Sequence, residues 1–202
     1  LQHHYRQSRR RSTLQRLLQG YYEKNNRRGV SIELARRDVR RKTTLIGSLL
    51  VDNGDADGMI CGTFSHYQLH LDYVQSVNDK KEGVSDFYAM NAVLMQDRNI
   101  FIADTYIHED PTAEQLAEMT VLAADQLRHF NITPRVALVS HSNFGTSDRE
   151  SAVKMRRVYE LLTEMNVDFD FDGEMQGDAA LDELNLANDF PTTTLKAKAT
   201  LI

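Results

Sequence analysis

Apolar residues recur every three or four positions over several long stretches of the chain, and between these they form short continuous or alternating runs. The first pattern is that of amphipathic helices and the second that of strands. Residues 9–25 set Leu14, Leu17, Leu18 and Tyr21 or Tyr22 on one face of a basic helix, which Asn25, Asn26 and Gly29 end. Ser31 is placed to cap a second helix through Arg41, marked by Ile32, Ala35 and Val39. Thr43 or Thr44 opens a third, with Leu45, Leu49 and Leu50, and Asn53-Gly54 closes it. Residues 65–77 return to helical spacing on Leu69, Tyr73 and Val77.

Further along, Asp110-Pro111 predicts the start of a long helix, with the aspartate as cap and the proline at the first helical position. Its stripe is Leu116, Met119 or Thr120, Ala123, Leu127 and Phe130, and Asn131 and Pro134 end it. Ser147 and Glu150 have the spacing of a capping box for another helix over residues 148–165, buried through Val153, Val158, Leu161, Leu162 and Met165.

The strand-like runs fall between these helices. They are Asp57 to Gly62 (DGMICG), Phe87 to Met95, Ile100 to Ala103, Val136 to Val139 and Val167 to Phe171. Gln96-Asp97-Arg98-Asn99 reads as a turn joining the second and third into a hairpin. Residues 172–182 pass from a glycine turn into a short helix that Phe190-Pro191 breaks. A polar loop at 192–198 precedes a last strand. Strands separated by helices predict layered α/β/α sheets. The polar stretch 78–83 divides the chain into a partial first α/β domain, residues 1–80, and a second α/β/α domain, residues 84–202, truncated at its C-terminal end.

Composition changes this picture in three ways. The one cysteine, Cys61, excludes an internal disulfide and a cysteine-rich metal site. No apolar run approaches a membrane span and no signal peptide opens the chain, so a cytoplasmic protein is expected. There is no initiator methionine and the last residues look like the start of a strand, which predicts a piece of a longer polypeptide. The net charge of -5 hides an asymmetry: residues 1–50 hold 13 Lys/Arg against 3 Asp/Glu, and the rest hold 11 against 26. Without an aromatic platform or a nucleic-acid motif, the basic start points away from nucleic acid. A solvated face, or contact with the acidic remainder of the chain, accounts for it better than a phosphorylated ligand or an acidic partner.

Candidate chemistry gathers after two strands. The loop following Val139 carries Ser140, Ser142, Asn143, Gly145, Thr146 and Ser147 before a helix. Strand, polar loop and helix start together offer amides and hydroxyls to an anion such as phosphate. A merely structural polar loop is the alternative. The loop lacks the Gly-Lys-Ser/Thr ending of a P-loop, and His141 between two serines makes no hydrolase triad, since no G-x-S-x-G elbow exists. Lys154 and Arg156 on the next helix are within reach of an anion. Asp104, Thr105, His108, Glu109 and Asp110 gather at a strand end, where they suit substrate positioning and match no metal-ligand spacing. Asp172, Glu174 and Asp178 form a second acidic group, whose bland role is turn formation and helix capping.

The stretches FIADTYIHEDPTAEQLAE, SNFGTSD and DGEMQGDAALDE, in this order, resemble the phosphate acetyl/butyryl transferase family. DGMICG, HYQLHLDYVQ and RRGVSIELARRDVRR extend the likeness over nearly the whole chain. It is closest to the C-terminal region of bacterial NADP-dependent malic enzymes. The resemblance implies a phosphotransacetylase-like fold of two α/β/α domains, with the architecture of isocitrate and isopropylmalate dehydrogenases and a cleft between the domains. It implies an acyl-CoA (acetyl-CoA) or phosphate ligand and a homo-oligomer. NADP and a divalent metal, Mg or Mn, belong to an N-terminal part that oxidatively decarboxylates malate to pyruvate, and no cofactor or metal is expected in these residues. In that family's pattern, Ser140, Ser142, Asn143, Gly145, Thr146 and Ser147 fall on the phosphate or CoA loop. Asp172, Gly173, Glu174 and Asp178 fall on the acidic turn, and Asp104 and Thr105 on the strand end. Asp72 stands where the transferases carry an arginine, and their serine–arginine catalytic pair lies beyond residue 202, so no catalytic residue is assigned. The implied role is regulatory acetyl-CoA binding. An active acyltransferase and a ligand-free assembly module are the alternatives.

Overall fold

The computed structural model describes residues 2–103, 105–182, 191, 193–195 and 197–202, with residues 2–11 as backbone only. The chain divides into two compact units, Leu1–Lys81 and Glu82–Ile202.

In the first unit, α1 (Gln2–Asn25) runs through a single 3-10 turn into α2 (Ile32–Arg41), α3 (Thr43–Asp52) and α4 (Tyr67–Val77). Gly29, at φ 90°, takes the left-handed conformation that reverses the chain after α1. The Ser31 hydroxyl accepts from the Leu34 amide at 3.2 Å and so caps α2 as its sequence predicts. The predicted apolar stripes converge: Leu17 and Tyr21, Ala35 and Val39, Leu45 and Leu49, and Val77 form one core. Burial of each larger aliphatic side chain stabilises the unit by about 1.5–3 kcal/mol. Lys24 fastens the end of α1 to two other helices, donating to Asp52 and to the Val77 carbonyl, both at 2.6 Å.

The DGMICG stretch is not a strand, and among the described residues this unit is helical rather than α/β. A strand needs a neighbour to take its amides and carbonyls. No extended partner exists among the described residues of the unit, and the apolar run is only three residues long between Gly58 and Gly62. Ile60 is fully exposed as a result.

The second unit is α/β. An antiparallel hairpin of β1 (Met90–Leu94) and β2 (Asn99–Ala103) leads into α5 (Ala113–His129). Then β3 (Arg135–Val139), α6 (Glu150–Glu164), β4 (Asp170–Met175) and α7 (Gly177–Leu181) follow in turn. β3 and β4 pair in parallel. Leu201 bridges in parallel to both Phe101 of β2 and Val136 of β3, so the segment 200–202 lies between the two strand pairs and links them.

Side-chain alternation along β3 shows how the layers form. Val136 and Leu138 join the core made with Ala117 and Leu127 of α5 and Val158 and Leu162 of α6. Ala137 and Val139 face the other way, toward Met175, Ala179, Ala180, Leu195 and Ala199. One face of the strands is therefore covered by α5 and α6, the other by α7 and the segment near the C-terminus.

Three sequence expectations change here. The cap of α5 is Thr112, not Asp110: its hydroxyl accepts from the Gln115 amide while the Gln115 side chain accepts from the Thr112 amide, a complete capping box. Ser147 and Glu150 do not form one, because the cap residue of α6 is Arg149 and no side chain bonds there. The buried stripes also shift toward small residues. Ala117, Ala124 and Ala152 are sealed, whereas Phe130, Val153 and Met165 are exposed. Small side chains let α5 and α6 approach each other and the strands closely.

Candidate functional site: a loop closed on Glu174

Glu174 owes its position to a fault in strand pairing. β3 and β4 pair residue by residue from Arg135↔Asp170 to Leu138↔Gly173, and then Val139 pairs with Met175. Glu174 is the extra residue, a β-bulge, and such bulges re-aim side chains. Without it Phe171 and Met175 would point to the same face. Instead Phe171 packs toward α5 and α6, and Met175 toward α7. Gly173 permits the fault: its φ is 142°, and a Cβ there would stand 2.5 Å from the Leu138 carbonyl oxygen.

The bulge delivers the Glu174 carboxylate beneath the loop after β3, where its residue is only 1% exposed. Its Oε1 accepts from the Ser142 hydroxyl at 2.8 Å, the Gly145 amide at 2.8 Å and the Arg156 guanidinium at 3.1 Å. The Glu174 carbonyl accepts from the Phe144 amide at 2.7 Å. Phe144 and Gly145 are both left-handed, at φ 45° and 88°, and this curls the loop around the carboxylate. Burial pushes the carboxyl toward protonation, but the Gly145 amide, the Ser142 hydroxyl and Arg156 outweigh it and hold Glu174 below its ordinary range.

The other backbone amides from Ser142 to Thr146 are also used internally. The Ser142 amide donates to Ser140 Oγ at 3.0 Å, and the Asn143 amide to Thr146 Oγ1 at 3.2 Å. The Thr146 amide donates to the Asn143 carbonyl at 3.2 Å. Thr146 and Ser142 hydroxyls lie 3.1 Å apart, so with Ser142 donating to Glu174 the Thr146 hydroxyl donates to Ser142. The Asn143 side chain accepts from the Gln176 amide at 2.7 Å. Ser147 Oγ lies 3.0 Å from His141 Nε2, and the Ser147 carbonyl accepts from Arg156 at 2.9 Å. The amides from Ser142 to Thr146 are thus not free, contrary to the expectation of an open anion loop. Arg156, a candidate for an external anion, already has an internal one.

The acidic candidates separate. Asp172 is buried and accepts from the Thr193 hydroxyl at 2.6 Å and the Thr194 amide at 2.7 Å, away from the loop. Asp178 is exposed at the start of α7, where its carboxylate accepts from the Ala179 amide at 2.9 Å. Thr105 has a buried hydroxyl with no partner among the described residues, and Asp104 lies outside them. Asp110 pairs with Lys154. These two, with Ser140, His141 and Ser151, rim a largely aliphatic cavity of about 520 Å³ at the C-terminal ends of β2 and β3. Asp72 is exposed on α4 and accepts from Gln68 at 2.8 Å.

A second polar cluster had no sequence signal, because its members are scattered. The Ser85 amide and hydroxyl and the Tyr88 hydroxyl all donate to Glu118 of α5. His108 Nε2 lies 3.0 Å from Asp86, and its ring stands 5.3 Å from that of Tyr88. Burial, and then the bond to Glu118, push the Tyr88 phenol up to about 12.

The chain is similar to known proteins along most of its length. The chain is 46% identical over 182 residues to an NADP-dependent malic enzyme of Escherichia coli, and 48% identical over 183 residues to one of Salmonella typhimurium. In both cases the match covers 90% of this chain and 24% of the relative, so the chain spans about a quarter of their length. A crystal structure of a phosphotransacetylase from Streptococcus pyogenes superposes with a TM-score of 0.79 at 28% identity, over 93% of this chain and 57% of that one. The description "phosphate acetyl/butaryl transferase" fits residues 3–202. With its mixed α/β fold and a match along almost its entire length, the chain belongs to the phosphate acetyl/butyryl transferase family.

Proposed function

We propose that this chain is the ligand-recognising region of a malic-enzyme-type polypeptide, binding acetyl-CoA as a regulator within a homo-oligomer. The higher identity to malic enzymes than to the phosphotransacetylase supports that parentage. The observation that favours regulation over acyl transfer is the closure of the loop on Glu174: the Ser142 hydroxyl, the Gly145 amide and Arg156 hold a protein carboxylate where a transferase would hold phosphate. NADP and the divalent metal are assigned to another part of the parent. Among the described residues no group of three His, Cys, Asp or Glu side chains is placed to hold a metal ion.

The second reading is acyl transfer between CoA and phosphate, favoured by the family match over residues 3–202. In that case the thiolate attacks the acyl phosphate directly, and positioning and charge neutralisation supply the rate. Three assays on the intact protein separate the readings: acetyl-CoA titration, malate-dependent NADPH formation with and without acetyl-CoA, and acetyl phosphate formation from acetyl-CoA and phosphate. Saturable binding that alters NADPH formation, without acetyl phosphate, is expected. Turnover to acetyl phosphate would establish the second reading, and a flat titration would leave an assembly module.

A further inference from the structure

The basic start of the chain includes six exposed arginines close in sequence, of which Arg36 and Arg40 flank a groove. Arg27 and Arg28 end the 3-10 turn, and Arg36, Arg37, Arg40 and Arg41 follow on α2; all six are exposed. Only Arg37 has an acidic partner among the described residues, Asp38 at 3.3 Å. Arg36/Arg40 and Arg37/Arg41 are like-charge pairs one helical turn apart, an arrangement that destabilises a helix. The helix dipole compensates Arg40 and Arg41 in the last turn, and Glu33, one turn before Arg36 and Arg37, offsets part of the repulsion there. Arg36 and Arg40 still leave an exposed excess of positive charge beside the groove, which an external anion would neutralise.

Between α1 and α2, Leu14, Leu18 and Val39 floor a small cavity of about 160 Å³, flanked by Arg36 and Arg40. We propose that this groove binds a nucleoside phosphate. A flat ring rests on the aliphatic floor under the guanidinium planes, and its phosphates pair with Arg36 and Arg40. The volume takes a ring but no more, since whole-ligand pockets run to several hundred cubic ångströms. Guanidinium groups suit both parts of such a ligand, stacking on rings and pairing with phosphate oxygens through two N–H groups at once. An acidic protein surface would satisfy the charges and leave the apolar floor unfilled. The site lies wholly within the first unit and does not depend on the acetyl-CoA reading of the second.

Calorimetric titration of the intact protein with ADP, and with pyrophosphate as a probe lacking the ring, tests this. ADP is expected to bind saturably, more tightly than pyrophosphate, and less tightly as salt rises. The double variant R36E/R40E is expected to weaken ADP by about tenfold or more, with an unchanged circular dichroism spectrum. R36K/R40K, which keeps the charge and loses the planar fork, is expected to fall between. Equal ADP affinity in wild type and R36E/R40E would overturn the proposal, and so would equal affinity for ADP and pyrophosphate. An absence of ADP binding, with a change of oligomeric state in R36E/R40E, would reassign the two arginines to a protein contact.

Discussion

Ser142 and Glu174 stand on different strand–loop junctions, yet the serine hydroxyl donates to the buried carboxylate at 2.8 Å. Arg156 and the Gly145 amide meet the same oxygen, so one side chain joins the loop after β3, the bulge in β4 and helix α6. Replacing Glu174 by alanine strands all three donors. Loss of a buried, hydrogen-bonded charge costs several kcal/mol, and the partial exposure of Arg156 lowers this to about 2–4 kcal/mol. Urea denaturation of Glu174→Ala against wild type measures it, and a change below about 1 kcal/mol would show that the latch is dispensable.

The same latch carries a pH signature. Glu174 and Glu118 both titrate below their ordinary 4.5 in the folded protein. Burial opposes this in each case, and hydrogen-bond donors prevail. A depressed folded pKa means that stability is complete above the unfolded value and is lost as pH falls through the folded one. Melting temperatures recorded from neutral pH downward should hold until about pH 4.5 and then decline. In Glu174→Gln the decline should be shallower; an unchanged slope would remove Glu174 from the acid response.

Tyr88 behaves in the opposite sense. Its phenol is raised to about 12, so folding favours the protonated form and the associated stability is lost as pH rises from 10 toward 12. Burial also raises Tyr21 and Tyr67, so ultraviolet difference spectra should show several late-titrating tyrosines, of which one moves earlier in Glu118→Gln. If every tyrosinate forms near pH 10 in the folded protein, the Tyr88–Glu118 contact is not present in solution.

Gly173→Ala tests the bulge. The added methyl meets the Leu138 carbonyl and Leu138 Cβ in a backbone conformation alanine avoids. Strain and overpacking together predict a loss of about 2–4 kcal/mol. Increased amide exchange in β3 and β4, ahead of that in α5, would identify the site of damage.

The two proposed caps of α5 give different mutants. Thr112→Ala removes a capping box and should cost about 1 kcal/mol, while Asp110→Ala loses only an exposed pair with Lys154 and should cost less than about 0.5 kcal/mol. The reverse order in chemical denaturation would restore Asp110 as the cap.

Local signals made much of the fold legible. Leu17, Val39, Leu49 and Val77 are spaced by their own helices, and the Asp97-Arg98 turn fixes the hairpin that pairs Leu94 with Asn99. DGMICG misled because a strand is a property of two segments, and composition reports only one. The candidate loop was visible as a polar stretch after an apolar run. What its donors bind was not, because Ser142 and Gly145 meet Glu174 only through a bulge that no periodicity encodes. Ser85, Tyr88 and Glu118 were invisible for the same reason: their contacts span some thirty residues.

Leu201 lies between Phe101 and Val136 in space, although it follows the first by 100 residues and the second by 65. On a ribosome, then, the hairpin and the β3–β4 pair emerge with a vacant slot between them. The sheet of the second unit closes only when the segment 200–202 is available to insert. Its assembly is a late and non-local event, with the slow rate that high contact order imposes, and until then the edges of β2 and β3 are open to mispairing.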